Sequence, residues 1–246
     1  MSQVSRDGGK EIWDEMWAKE NEIDENVFFK CVVDAVIENM NVPIQGAKIL
    51  EAGAGTGTSS FQLAKLGATV TLVDYSENSI QKMKRMFDRH DIPAKFYCND
   101  IRSMDIENDT YDVVFNSGVL EHFSFEDQVL ILRELKRICK PGGRVITLNP
   151  NAKSLLYRCW KWILESSNRW PYGYEQPVIT LKNQFEEVGL AFLSEYSVGF
   201  DVSVDQFGSF SEFQLAASFM RSFYHSLPDN EKRLMEGYLL CSVGEK

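Results

Sequence analysis

Short apolar runs alternate with amphipathic segments along the middle of the chain. Lys48–Ala52, Thr69–Asp74, Asp112–Asn116 and Arg144–Asn149 are nearly continuous in apolar residues, and Ala94–Cys98 is a weaker run. Runs of this length and composition are typical of parallel strands that are buried on both faces. We therefore predict five strands of a parallel sheet in this part of the chain.

The segments between these runs have helical spacing and recognisable ends. The predicted helices are Thr58–Leu66, Glu77–Arg89 and Phe125–Cys139. Ser76 and Ser124 stand where N-caps are expected, each just before the first helical residue. A strand and helix series of this kind folds into a doubly wound sheet, which binds its ligands beyond the carboxyl ends of the strands.

Beyond Pro150 the pattern is less regular. A short helix is predicted after Thr180, ending at Gly189, and two further strands are predicted at Ala191–Ser197 and Tyr238–Val243. They bring the sheet to seven strands. Residues 200–235 are predicted to be a loop followed by helices over Ser211–His225 and Asp229–Met235.

The pattern divides the chain into three parts. Residues 1–10 are polar and predicted to be a disordered tail, residues 11–42 two N-terminal helices, and residues 43–246 the main domain with insertions at 150–176 and 200–235. The first helix carries Trp13 and Trp17 in an otherwise charged segment. Two interpretations stay open: the indoles pack on the domain surface, or they form a lid over a bound ligand.

Composition narrows the class of protein. A net charge of −10 and a sequence pI near 4.9 give no general attraction to nucleic acid. The five cysteines are scattered without a C-x-x-C pair, as is usual for reduced thiols, and no apolar stretch approaches the ~18 residues of a membrane span. We expect a cytoplasmic protein that is not integral to a membrane; its oligomeric state is not indicated.

A glycine-rich turn follows the first strand. Gly53, Gly55 and Gly57 allow a sharp turn against which a ligand can lie. A dinucleotide site requires a further glycine where this chain has Thr58, and the carboxylate of Glu51 would repel a pyrophosphate. The same carboxylate would attract a ligand that carries positive charge, although a carboxylate that caps the following helix is the alternative.

At these residues, Glu51-Ala52-Gly53-Ala54-Gly55-Thr56-Gly57, the chain resembles the class I S-adenosylmethionine-dependent methyltransferases. The resemblance covers roughly residues 46–150. It implies a Rossmann-like methyltransferase fold with a mostly parallel sheet, N-terminal helices and a helical, aromatic cap. It also implies S-adenosylmethionine as cofactor, which leaves as S-adenosylhomocysteine.

The resemblance implies roles for residues at the ends of successive strands. Asp74 would take both ribose hydroxyls, with Tyr75 and Ser76 bordering the cofactor. Asp100 and Ile101 would recognise adenine, unless Asp100 is a solvated loop residue. The methionine part of the cofactor would be lined by Asn116, Ser117 and Gly118.

Methyl transfer needs a general base only if the nucleophile arrives protonated. His122, just after the fourth strand, is the candidate, and a structural role for Glu121-His122 in the loop is the alternative. We expect no metal, because no cluster with zinc spacing and no carboxylate pair suited to magnesium is evident.

The predicted function is methyl transfer from S-adenosylmethionine to an oxygen or nitrogen of a small molecule. Residues 150–176 combine aromatic side chains with Arg158, Lys161 and Arg169, which would suit an amphipathic or anionic acceptor. Packing on the sheet or a dimer contact is the alternative for this segment. One alternative is a non-catalytic cofactor-binding or regulatory protein. Another is a nucleotide-dependent oxidoreductase, which Thr58 and Glu51 both argue against.

Overall fold

A computed structural model describes residues 10–18 and 27–246, and in this part of the chain the strands form one seven-stranded sheet. The strands are β1 Lys48–Ala52, β2 Thr69–Asp74, β3 Ala94–Cys98, β4 Tyr111–Ser117, β5 Cys139–Pro150, β6 Ala191–Val198 and β7 Leu239–Glu245. Their order in the sheet is β3-β2-β1-β4-β5-β7-β6. The predicted strands are all present, with bounds that agree or differ by a few residues.

The sheet is mostly parallel, as predicted. Only β7 runs antiparallel to its neighbours β5 and β6 within the described sheet. The chain moves outward from β1 through β2 to β3 and then returns to the other side of β1 with β4, so the winding reverses between β1 and β4. Ligand sites of open sheets lie at this point, beyond the carboxyl ends of the strands.

Helices cover both faces of the sheet. They are α1 Lys10–Ala18, α2 Val27–Asn39, α3 Thr58–Lys65, α4 Glu77–Arg89, α5 Phe125–Ile138, α6 Leu155–Ser166, α7 Lys182–Glu187, α8 Phe200–Gly208, α9 Gln214–Ser226 and α10 Asp229–Lys232. On one face α2, α3 and α4 pack on strand residues such as Ile49 and Val113. On the other, α5 and α7 pack on Leu50 and Val114. Alternate residues of each strand therefore serve opposite layers, which explains the continuous apolar runs.

Both predicted serine caps are present. The Ser76 hydroxyl accepts a hydrogen bond from the Ser79 amide at 3.3 Å, and the Ser124 hydroxyl accepts one from the Asp127 amide at 3.2 Å. Each serine satisfies an amide of the first helical turn that has no partner within its own helix. The two caps fix the starts of α4 and α5 close to the ends of β2 and β4.

The prediction of a loop after residue 200 is wrong in its first part, because residues 200–208 form α8. The segment is poor in strong helix formers, but Phe200 stacks on Tyr224 of α9 at 4.2 Å and Val204 is fully buried. Tertiary packing thus outweighs a weak local preference. Two smaller corrections apply: α10 is shorter than predicted, and Leu181 rather than Thr180 directly precedes α7.

The described residues include only part of the N-terminal segment for which predictions were made. The helix predicted from residue 11 is α1, whereas the tail predicted at 1–10 lies outside the described residues apart from Lys10. Across the described ranges, none of the helices combines the length and apolar character needed to traverse a bilayer.

Candidate functional site

A cavity of about 790 Å³ opens where the winding of the sheet reverses. One end, which we call the glycine half, is lined by Glu51, Gly53, Gly55, Asp74, Tyr75, Asp100, Ile101, Ser117 and Gly118. The other end, which we call the aromatic half, is lined by Trp13, Phe28, Phe29, Glu121, His122, Trp160, Tyr172, Glu175 and Tyr238. A volume of this size is ordinary for a small-molecule site.

The glycine turn has the backbone that the sequence predicted. Gly53, Gly55 and Gly57 all have positive φ, at 73°, 53° and 70°. A Cβ on Gly53 would lie 2.8 Å from a methyl group of Val119, so a side chain there would also clash. Glycine is thus required both for the turn and for the close approach of its neighbours.

Asp74 ends β2 with its carboxylate held by two backbone amides. One oxygen accepts from the Gly55 amide at 2.8 Å and the other from the Ser76 amide at 2.9 Å. Burial raises the pKa of this carboxyl, and the two hydrogen bonds partly offset the effect. Tyr75 lines the cavity beside it, but Ser76 is fully buried, caps α4 and does not line the cavity.

Glu51 is buried at the end of β1 and reaches the first turn of α3. One carboxylate oxygen accepts from the Ser60 hydroxyl at 2.6 Å and from the Ser60 amide at 3.2 Å. Burial raises the pKa of Glu51 to about 7, and the nearby charge of Asp74 adds to the rise. The helix-capping alternative is therefore what the structure shows, while the same side chain also lines the cavity.

Asp100 and Ile101 both line the cavity after β3. Ile101 is almost fully buried. Both oxygens of Asp100 are within 3.1 Å of the Arg102 guanidinium, so the carboxylate is engaged by a cation instead of solvent alone. An incoming amino group would have to share it with that arginine.

The three residues predicted after β4 separate into two groups. Ser117 and Gly118 line the cavity. Asn116 does not: it is fully buried, and neither atom of its amide has a hydrogen-bond partner among the described residues. It faces the layer of α5, beside Thr147 of β5, whose hydroxyl is also without a partner there.

His122 lies in a short 3-10 turn over Leu120–His122, where β4 gives way to α5. Its Nδ1 is 3.0 Å from the Tyr174 carbonyl oxygen. Because a carbonyl only accepts, Nδ1 carries the proton and Nε2 presents its lone pair. Burial lowers the pKa of His122, so the neutral, proton-accepting form prevails near pH 7.

Two carboxyls lie beside this imidazole. Glu121 Oε1 is 3.7 Å from His122 Nε2, and Glu121 Oε2 accepts from the Asn149 amide at 2.7 Å. Burial and, to a lesser extent, the charge of Glu175 together raise the pKa of Glu121 to about 8. Glu175 is itself paired: its carboxylate accepts from Tyr157 at 2.5 Å and from Lys161 at 2.9 Å.

Within the described residues, Glu121, His122 and Glu175 form a group that could approach a single metal ion, with ligand atoms within 4.8 Å of one another. Sequence spacing does not reveal the group, because Glu175 comes from a distant insertion. Lys161 already supplies a positive charge to Glu175. We assign no metal to these side chains.

The two tryptophans of α1 bridge the halves of the cavity. Trp17 lies over the glycine turn, where a Cβ on Gly55 would be 2.9 Å from its indole ring. Trp13 makes an edge contact with His122, with ring centroids 5.0 Å apart, and stacks on Tyr172 at 6.2 Å. Of the two interpretations of this segment, the cavity position favours the lid.

The basic residues of the 150–176 insertion do not face the cavity. Arg158 and Arg169 are exposed, and Lys161 is buried in the pair with Glu175. The residue that sequence reasoning missed is Glu175. It is the only acidic residue between Glu165 and Glu186, and an isolated acid within an aromatic stretch was the available signal.

Known proteins are similar to this chain in the region that forms the glycine half. A family model described as a methyltransferase domain matches residues 49–143, which run from β1 into β5 and contain the glycine turn, Asp74, Asp100 and His122. Residues 49–143 are thus similar to a methyltransferase domain. The resemblance inferred from the sequence is thereby confirmed for this part of the chain.

Two curated relatives that match part of this chain are named as methyltransferases. The ubiquinone biosynthesis O-methyltransferase of Coxiella burnetii is 31% identical over 118 residues, 47% of this chain and 50% of that protein. The demethylmenaquinone methyltransferase of Clavibacter sepedonicus is 36% identical over 104 residues, 42% of this chain and 41% of that protein. The chain thus spans about half the length of the curated relatives it matches.

Solved structures extend the likeness to the whole fold. The magnesium protoporphyrin IX methyltransferase of Synechocystis, solved with S-adenosylhomocysteine, covers 98% of this chain (95% of its own) with a TM-score of 0.60 and 15% identity. The cyclase SpnF covers 98% (93% of its own) with a TM-score of 0.63 and 17% identity. Since a protein named as a cyclase shares the architecture, the fold alone does not fix the reaction.

Proposed function

We propose that this protein transfers a methyl group from S-adenosylmethionine to an oxygen or nitrogen of a small molecule. The observation that carries the proposal is the continuity of the cavity. It joins the glycine turn and Asp74 to the aromatic half around His122, so a donor and an acceptor fit side by side. The residues of the glycine half suit this cofactor: a carboxylate at Asp74 for two hydroxyls, the apolar Ile101 for a ring, and Glu51 for positive charge.

The sulfonium of the donor supplies a good leaving group, and this chain's residues do the rest. They hold the acceptor in line with the methyl group and keep water out. Trp13, Trp17 and Tyr172 provide apolar walls at the junction of the two halves. His122, neutral and with Nε2 unprotonated, takes the proton of a hydroxyl or amine acceptor.

The lining of the aromatic half favours an acceptor with a flat apolar body and no net negative charge. Apart from the neutral His122, the one basic side chain among the described lining residues is Arg102, which is paired with Asp100. An anionic acceptor would therefore gain no uncompensated cation and would meet Glu175 and Asp205. We retain the amphipathic part of the sequence prediction and give less weight to the anionic part.

Thermal unfolding with added ligands tests the cofactor. S-adenosylmethionine and S-adenosylhomocysteine should raise the midpoint, as any ligand that binds only the native state must, whereas NAD should not. Stabilisation by NAD alone would refute the proposal. A methyl-label screen over phenols, amines and carboxylic acids then tests the reaction: binding of the donor with no transfer to any of them would favour a non-catalytic cofactor-binding protein.

A further inference from the structure

The insertion between β5 and β6 brings a buried ion pair to His122. The side chains of Lys161 and Glu175 are 7% and 6% exposed, and their charged atoms are 2.9 Å apart. Lys161 also lies over the Trp170 ring at 3.9 Å, and Tyr157 donates to the same carboxylate. Burying two charges is costly, and a packed apolar pair would often stabilise a fold as well. The pair therefore invites a functional explanation.

We propose that Glu175 and Lys161 are positioning residues for the transfer step, acting through His122. Glu175 stabilises the charged form of the imidazole, and Lys161 limits that effect, adding to the burial that keeps the imidazole neutral before reaction. The inference rests on the proposed methyl transfer with His122 as proton acceptor. It gives the insertion a part in the chemistry besides contact with the acceptor.

Backbone contacts set the geometry. The Tyr174 carbonyl accepts from His122 Nδ1, and the Gln176 amide donates to the Glu121 carbonyl at 2.7 Å. The residues on both sides of Glu175 are thus tied to the turn that carries His122. These bonds hold the backbone of Glu175 beside this turn, while Tyr157 and Lys161 hold its carboxylate. Ligand atoms of Glu175 and His122 lie within 4.8 Å of one another.

The electron and proton movements balance without a further reactant. The acceptor lone pair forms the bond to the methyl carbon, the carbon–sulfur bond breaks with its electrons going to sulfur, and the acceptor proton moves to Nε2 of His122. The resulting imidazolium is favoured by the negative charge of Glu175 and opposed by the positive charge of Lys161. The titratable groups around the imidazole are Glu121 of its own turn, Tyr172 and Glu175 of the insertion, and Tyr157 and Lys161 of α6.

The test uses the fact that the chain has three histidines, His90, His122 and His225. NMR titration of histidine-labelled full-length protein with S-adenosylhomocysteine bound follows each imidazole, and His122→Gln assigns the signal. Glu175→Gln removes the negative charge and should move the His122 midpoint to lower pH. Lys161→Met removes the positive charge and should move it to higher pH. We expect about one unit for Glu175→Gln, because its carboxylate lies within 4.8 Å of the imidazole, and a smaller shift for Lys161→Met.

A matched control is available on the same lysine. Glu165 also pairs with Lys161, at 3.3 Å, but its side chain is 49% exposed. Glu165→Gln should leave the His122 midpoint in place, and His90 and His225 should titrate unchanged in every variant. Shifts of opposite sign in the two test variants separate this role from a merely structural one, which would not move the midpoint in a charge-dependent way.

With an acceptor identified, the acid limb of the kcat profile should move in the same two directions, with KM for the donor unchanged. An unmoved His122 midpoint in Glu175→Gln overturns the proposal. Because this substitution is nearly isosteric, the result does not depend on whether Lys161→Met folds. Loss of activity with a chelator and its return with a divalent ion also overturns the proposal, since an ion would then set the charge. Failure to bind S-adenosylhomocysteine would instead refute the proposed function.

Discussion

Glu51→Gln offers a direct measure of how the buried carboxyl behind the glycine turn affects folding. Burial raises the pKa of Glu51 from 4.5 to about 7. A carboxyl whose pKa is higher in the folded state binds its proton more tightly there, so it destabilises the fold as pH rises from 4.5 through 7. At about 1.4 kcal/mol for each pKa unit, the full effect is about 3 kcal/mol above pH 7.

Glutamine keeps the acceptor for Ser60 but cannot ionise. The difference in the free energy of unfolding between Glu51→Gln and the wild type, measured with urea, should therefore be about 2 to 3 kcal/mol more in favour of the variant at pH 8 than at pH 5. Other titrating groups are common to both proteins and largely cancel in this difference. A gap that is the same at both pH values would refute the reasoning that burial governs this carboxyl.

Glu134→Gln serves as a control of opposite sign. Hydrogen bonds from Arg137 lower the pKa of Glu134, which also accepts from the Met104 amide at 2.7 Å. Its contribution is present above the unfolded pKa and is lost as pH falls through the lowered folded value. Glu134→Gln should therefore cost stability at pH 7 and little at pH 3, the reverse of the trend at Glu51.

Three further predictions concern binding and turnover. Asp74→Ala should weaken S-adenosylhomocysteine binding by about tenfold or more in calorimetry, since a charge-assisted hydrogen bond is worth about 1.5 to 3 kcal/mol; an unchanged Kd would contradict the ribose role. Gly55→Ala should lose more stability than Gly142→Ala, because both have positive φ but only the former meets a ring, that of Trp17; equal losses would count against close packing of α1. His122→Gln should lower kcat by about 10² to 10⁴ with a similar donor KM, and full activity would exclude it as the base.

The fold was largely predictable because its signals are local. β1 and β2 are buried on both faces, so Lys48–Ala52 and Thr69–Asp74 show as apolar runs with the bounds that the structure has. Serine caps marked the starts of α4 and α5 for the same reason. The helix at 200–208 was missed because what holds it, the packing of Phe200 on Tyr224, comes from residues far along the chain.

The candidate site was predictable only in its glycine half. There, each residue follows its own strand, and the topology alone brings Glu51, Asp74 and Asp100 to one edge. Asn116 was predicted to line the cavity, but the alternation of side chains along β4 turns it to the opposite layer. Spacing also did not reveal that Glu175 lies beside His122, because 53 positions and three elements, α5, β5 and α6, separate them in the chain.

The two halves of the cavity differ in how their charges are balanced, and this difference affects which donor and acceptor can bind there. In the glycine half, burial raises the pKa of both Glu51 and Asp74, and a cationic ligand would oppose that rise by stabilising the two carboxylates. In the aromatic half, Glu175 is already matched by Lys161. Positive charge is therefore favoured where the donor would bind and charge is balanced where the acceptor would bind. A neutral acceptor reaches the methyl group without displacing an ion pair, and the proton it gives up has a place on His122.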